Sequence, residues 1–148
     1  MRHFHRPCAS ANRARLGASP AAPLVSPAQD ALNKALATLR NREFARAVPE
    51  LKAVMDKFPA NSEAQEASYW LGVAHTYLKQ YDAAIDIHRR FAEQYPAHVR
   101  APEALRLMAE NQIELQQKDQ AKLTLRKLIK LYPNSAAATK ARERLAKL

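Results

Sequence analysis

The sequence predicts an all-α protein, a solenoid of three helix-turn-helix repeats with a period of 37 residues and a C-terminal capping helix. Three observations carry that prediction. Phe58-Pro59, Tyr95-Pro96 and Tyr132-Pro133 recur at an offset of 37, and the columns Ala35/Gly72/Ala109, Ala47/Ala84/Ala121, Val54/Phe91/Leu128 and Ala67/Ala104/Ala141 keep the same offset without a gap. Ala84, Ile85, His88, Phe91, Ala92 and Tyr95 have the spacing of one buried helical stripe. Gly17 and Gly72 are the only two glycines among 148 residues, too few for a turn-rich β fold or for a glycine-rich phosphate cradle.

Residues 1–25 carry four arginines, no acidic residue and no periodicity, and read as a disordered basic leader. Arg6, Arg13 and Arg15 interrupt every apolar stretch that could serve as the core of a secretory signal. The repeat domain is expected over 26–148, with repeats at about 27–61, 62–98 and 99–134 and a capping helix at 135–148. Helices are predicted near 27–40, 44–57, 62–78, 82–95, 102–116, 119–131 and 135–147.

Ser26-Pro27-Ala28-Gln29 reads as a capping box, Ser62-Glu63-Ala64-Gln65 repeats its pattern, and Pro102 suits the first position of a helix. Pro49 falls inside the second helix and removes one hydrogen bond. Small residues at Ala35, Gly72 and Ala109 allow paired helices to approach closely. The aromatic before each terminal proline fills the groove between repeats, and the proline ends the unit.

Charge is unevenly placed. Residues 28–117 hold 11 basic and 12 acidic side chains, whereas 118–148 hold nine basic and two acidic. Lys122, Arg126 and Lys130 follow one another at i, i+4 and i+8 and form a basic patch. It reads first as a solvated helix face, and second as a docking patch for an acidic partner or anionic lipid headgroups. No aromatics are interleaved with these cations, so specific nucleic-acid binding is not expected.

Nothing points to catalysis. There is no H-E-x-x-H or G-x-S-x-G, and no nucleophile with a plausible local base. The lone Cys8 excludes an intramolecular disulfide, and His3, His5 and Cys8 make a poor metal set without a fourth ligand. His75 and His88 occupy core columns and are expected to be neutral and hydrogen-bonded. No apolar run approaches the length of a transmembrane helix. No cofactor is expected.

The columns resemble the tetratricopeptide repeat (TPR), a helix-turn-helix unit of about 34 residues. The middle copy carries that family's residues as Leu71-Gly72, Tyr81, Ala84 and Pro96, and the extra length falls after the proline. Ala67-Ser68-Tyr69-Trp70-Leu71-Gly72, Arg100-Ala101-Pro102-Glu103-Ala104-Leu105 and the three aromatic-proline ends are similar to the C-terminal domain of the Tol-Pal-associated family CpoB, also called YbgF. That resemblance implies a periplasmic, non-enzymatic interaction module with TolA and a peptidoglycan synthase as partners. It would coordinate outer-membrane constriction with septal wall synthesis. Val73 departs from the acidic residue usual in that family, and His75 and His88 from its aromatics.

The outer-membrane assembly lipoprotein BamD has similarly lengthened repeats and is the second resemblance. A generic TPR adaptor inside the cell is the third reading. A monomer is expected for this chain, because no coiled coil is visible ahead of residue 28.

Carried over from the TPR groove, the partner-binding positions are Gln29, Leu32, Leu36 and Arg40 in the first repeat. The second repeat supplies Glu66, Tyr69, Val73 and Tyr77, and the third Glu103, Arg106, Glu110 and Glu114. Tyr69 is expected to face the groove and Trp70 to pack inside. The surface then runs from an apolar end to an acidic one, suited to a peptide with hydrophobic anchors and a basic tail.

Overall fold

A computed structural model describes residues 25–148. Residues 1–24 lie outside it, and with them the expected leader and His3, His5 and Cys8. The described residues form seven helices: α1 Pro27–Arg40, α2 Phe44–Lys57, α3 Ser62–Tyr77, α4 Tyr81–Gln94, α5 Ala101–Glu114, α6 Lys118–Leu131 and α7 Ala136–Lys147. The chain is an all-α TPR solenoid, and α2 runs unbroken through Pro49.

Consecutive helices pack as antiparallel hairpins, and the first helix of one hairpin also reaches the first helix of the next. α1 touches α3, α5 touches α7, and Thr76 Oγ1 on α3 lies 3.1 Å from Asn111 Oδ1 on α5. The odd-numbered helices therefore form an inner layer. The outer helices α2, α4 and α6 make no comparably extensive contacts with one another, so they splay and curve the array towards its inner face.

Its core is the set of small columns seen in the sequence. Ala35, Ala47, Ala67, Ala84, Ala104, Ala109, Ala121 and Ala141 are all fully buried. At each, the missing side chain lets two helix backbones close up.

Helix ends are periodic too. Phe58, Tyr95 and Tyr132 are the C-caps of the outer helices, each with φ between −131° and −126°, and their amides donate to Val54, Phe91 and Leu128. The Tyr132 hydroxyl donates to the Pro96 carbonyl at 2.7 Å and ties one repeat end to the next.

The turns inside the hairpins hold a feature the sequence concealed. Arg42, Lys79 and Gln116, again 37 apart, have φ of 63°, 61° and 62°. In each turn this residue's amide bonds back to Leu39, Thr76 or Ile113, and the next amide to Thr38, His75 or Gln112. That is a Schellman cap, which usually carries glycine at the left-handed position.

Two expected N-caps differ. Ser26 does cap α1, accepting from the Gln29 amide at 3.1 Å, but the Gln29 side chain donates forward to Asn33 and not back to the cap. Asn61, not Ser62, is the N-cap of α3, so the second S-x-x-Q pattern is no capping box. Pro102 sits one residue into α5, behind Ala101.

His88 corrects another expectation. It is fully buried and neutral, yet neither ring nitrogen has a hydrogen-bond partner. Desolvation pulls its pKa down to about 4. Its equivalents in the other repeats are Leu51 and Leu125, which share core clusters with Ala35 and Ala109. A Cβ on Gly72 would lie 2.6 Å from the His88 ring, so glycine here makes room for imidazole. His75 is half-buried, with Nδ1 2.5 Å from Gln80 Oε1.

Two stability predictions follow from these positions. Lys79→Gly and Gln116→Gly should each stabilise by about 0.5–1 kcal/mol in urea titrations, the left-handed strain relieved less the chain entropy added. The folded chain keeps His88 neutral down to about pH 4, whereas the unfolded chain protonates it near 6.5, so stability should fall as pH drops between those values. The loss should approach about 3 kcal/mol. Restoring the leucine–alanine pair with His88→Leu and Gly72→Ala should remove that component of the pH dependence.

Candidate functional site

The inner layer gathers most of the residues the sequence singled out, and rearranges them. Arg40, Val73 and Tyr77 lie on it, together with Trp70, while Leu36 is half-buried against the core of the first hairpins. Leu32 and Tyr69 do not lie on it: each is 4% exposed and belongs to the core. Leu32 packs with Ala67 and Leu71 of the next hairpin, and Tyr69 with Phe91, Ala101 and Ala104. Their column points into the junction with the following repeat, not into the groove. The expected arrangement of Tyr69 and Trp70 is thus reversed. Burial, then the charge of Glu103, pushes the Tyr69 hydroxyl up to about 12, so it stays neutral in its place.

An open cavity of about 230 Å³ lies between α1 and α3, lined by Leu39, Arg40, Arg42, Phe44, Trp70, Val73 and Tyr77. Phe44 and Tyr77 stack face to face, their centroids 4.5 Å apart and their planes within 3°. The Arg42 guanidinium lies 5.5 Å from the Phe44 centroid and 5.8 Å from that of Tyr77. Arg42 owes this position to the Schellman turn, which projects its side chain over the aromatic residue opening α2. Among the described residues neither Arg40 nor Arg42 is in an ion pair. The cavity is therefore apolar and aromatic, with two uncompensated cations beside it. Sequence reading missed Arg42 and Phe44, which lie outside the first helix of the repeat, and Leu39, a first-helix residue outside the groove register.

A clasp borders it. Arg100 Nε lies 3.0 Å from both carboxylate oxygens of Glu66, and its guanidinium covers the rings of Tyr69 at 5.0 Å and Trp70 at 4.9 Å. Trp70 Nε1 donates to Glu66 Oε2 at 3.2 Å, which fixes the indole at the cavity wall. Elsewhere on this face Arg106 is held by Glu103 at 2.7 Å, and Arg144 of α7 reaches Glu110 at 2.9 Å.

The expected acidic end is consequently neutralised from within: Glu66, Glu103 and Glu110 all have arginine partners, and Glu114 alone of that group is exposed. A basic tail has little to meet here. An acidic one would meet Arg40 and Arg42.

The basic patch is elsewhere. Lys122, Arg126 and Lys130 stand on α6 in the outer layer. That layer has two further cavities where its helices splay, about 550 Å³ beside Met55, Leu71 and Ile87, and about 270 Å³ beside Ala92, Met108 and Thr124. These are the same positions displaced by one repeat. Among the described residues no cluster of three or more His, Cys, Asp or Glu could hold a metal, and no helix is long and apolar enough to cross a membrane.

A family model described as "YfiO: Outer membrane lipoprotein" matches residues 25–148. Among curated proteins no sequence matches the chain. The type III secretion translocator chaperone SycD of Yersinia enterocolitica, in its alternative dimer, is similar in structure with a TM-score of 0.66 at 17% identity, over 81% of this chain and 86% of that one. MamA of MSR-1 is similar with a TM-score of 0.58 at 18% identity, over 82% of this chain and 68% of that one. At such identities both likenesses are of fold alone.

The two tyrosines of α3 should separate cleanly. Tyr69→Ala truncates a core ring and should cost about 3–5 kcal/mol in denaturant titrations. Tyr77 is 55% exposed, so Tyr77→Ala should cost no more than about 1 kcal/mol.

Proposed function

The chain belongs to the family described as YfiO, outer membrane lipoprotein, and from that premise we propose that it is a non-enzymatic protein-binding module of the cell envelope. It holds an extended or helical segment of a partner protein on its inner face. The observation that carries this reading is the cavity walled by Trp70, Val73, Phe44 and Tyr77 with Arg40 and Arg42 at its edge. Aromatic walls give a hydrophobic anchor a large contact area at little conformational cost. The two arginines, having no carboxylate of their own, favour a segment in which an acidic residue follows that anchor.

Two envelope settings fit. The family match agrees with an outer-membrane assembly factor of the BamD kind, and this is the reading we place first. The Tyr69-Trp70-Leu71-Gly72 stretch and the three aromatic-proline ends support the Tol-Pal setting, with TolA and a peptidoglycan synthase as its partners. Those residues serve the fold, however. Tyr69 fills the core, Gly72 admits His88, and Trp70 is locked by Glu66 and Arg100, so their presence speaks for shared architecture more than for shared partners.

Site-specific photocrosslinking in cells tests the proposal. A photoreactive residue at Tyr77 should yield a protein adduct that the same probe at Gln94, on the outer layer, does not. Tyr77→Ala with Arg42→Ala should weaken binding of the captured partner by about tenfold or more while leaving helicity unchanged. Adducts from Gln94 but not Tyr77, or undiminished binding by the double variant, would sink the assignment. The adduct's identity then distinguishes an outer-membrane assembly component from TolA or a peptidoglycan synthase.

A further inference from the structure

We propose that the outward face of α6 docks the chain on an anionic bilayer surface. Ala121, Leu125 and Leu128 on the inward side of this helix are fully buried, so its orientation is fixed. The opposite side presents Arg126 and Lys130, both exposed, and Lys118 and the half-buried Lys122 lead up to them along the flank of the helix, one cation per step of four residues and therefore about 6 Å apart along the axis. Lys127 flanks them. Among the described residues none of these five cations is in an ion pair, in contrast to Arg100, Arg106 and Arg144 of the inner face.

Leu123 projects beside Arg126 and Lys130. It is 58% exposed, one of few large apolar residues left in water among the described residues. Arg126, Lys127 and Lys130 stand three, four and seven positions after it, on the same helical face. Leu131 is also exposed and lines the outer groove beside Arg89 and Glu93, which Lys127 borders too, so the face ends at that groove.

A solvated charged face has no use for a leucine beside its cations. A phosphate backbone of nucleic acid would leave it without an apolar contact. A headgroup layer satisfies both features at once, since the long cations reach phosphates while Leu123 enters the acyl boundary beneath them. Phosphatidylglycerol-type headgroups are the chemistry implied, because the attraction requires net negative surface charge. The proposal does not depend on the groove reading, as α6 lies in the opposite layer.

Flotation of the full chain with vesicles decides it. The protein should rise with vesicles of phosphatidylethanolamine and phosphatidylglycerol and stay down with phosphatidylcholine alone, and added salt should weaken the association. Each surface cation contributes about fivefold, so Lys122→Glu with Arg126→Glu and Lys130→Glu should reduce partitioning by about a hundredfold or more. Leu123→Ser should reduce it by about tenfold. The control Lys34→Glu with Lys57→Glu and Lys79→Glu makes the same change of net charge and should leave most of the partitioning intact. Equal loss in the control, no binding to the anionic vesicles, or undiminished binding by Leu123→Ser would each overturn the proposal.

Discussion

The close approach of helix backbones at the alanine columns is the constraint on which the rest of this structure depends. Where Ala35, Gly72 and Ala109 face their partner helices, the opposing Leu51, His88 and Leu125 meet only a methyl group or a hydrogen, so the helices close up. Inner helices can then reach their neighbours in the next hairpin while the outer helices stay apart. Curvature, the recessed inner face and the two outer cavities all derive from that asymmetry. A bulky residue in such a column would force the hairpin open and propagate to the adjoining repeats, since each repeat is stable only through its neighbours.

The fold was legible because the array writes the same physical requirement three times. Single helix boundaries inferred from capping are weak, but a column repeated at 37 residues averages out local ambiguity, and most of the predicted helix limits fall within two residues of those observed. What stayed hidden was whatever the repeat does not spell in residue type. Arg42, Lys79 and Gln116 share a left-handed conformation but no chemistry, so nothing in the sequence marks them. The site was less legible for a related reason. Tyr69 and Trp70 are neighbours about 100° apart on one helix, and which of them meets solvent depends on where the next hairpin docks. The partners Glu66–Arg100 and Glu110–Arg144 lie 34 residues apart, a spacing that pattern reading does not test.

Pairing also redistributes the charge that the sequence displays. Counted by residue, the third repeat's inner face is acidic and the C-terminal segment is basic. Counted by contact, the inner face is internally balanced, with free cations at its first junction, and the excess sits on α6. Two surfaces of the same sign thus face opposite ways. One is aromatic and recessed, the other a helix face that bears Leu123. The same net charge can therefore serve two kinds of recognition without the two competing.

The middle repeat is where the array departs from itself. Its neighbours use a leucine against an alanine at the hairpin crossing; it uses His88 against Gly72, with both ring nitrogens unsatisfied. Such a group costs stability that a leucine would not, on the order of 1–3 kcal/mol. The offset is local. Tyr69 packs against the imidazole with centroids 5.7 Å apart and against Phe91 at 5.8 Å, and it in turn supports the Arg100 guanidinium that covers Trp70. A histidine that looks like a defect in its own column is thus part of the packing beneath the cavity wall. Substituting leucine would remove the buried polar group and also alter the ring stack on which Trp70 rests. The repeat that departs from the common pattern is the one that shapes the inner face.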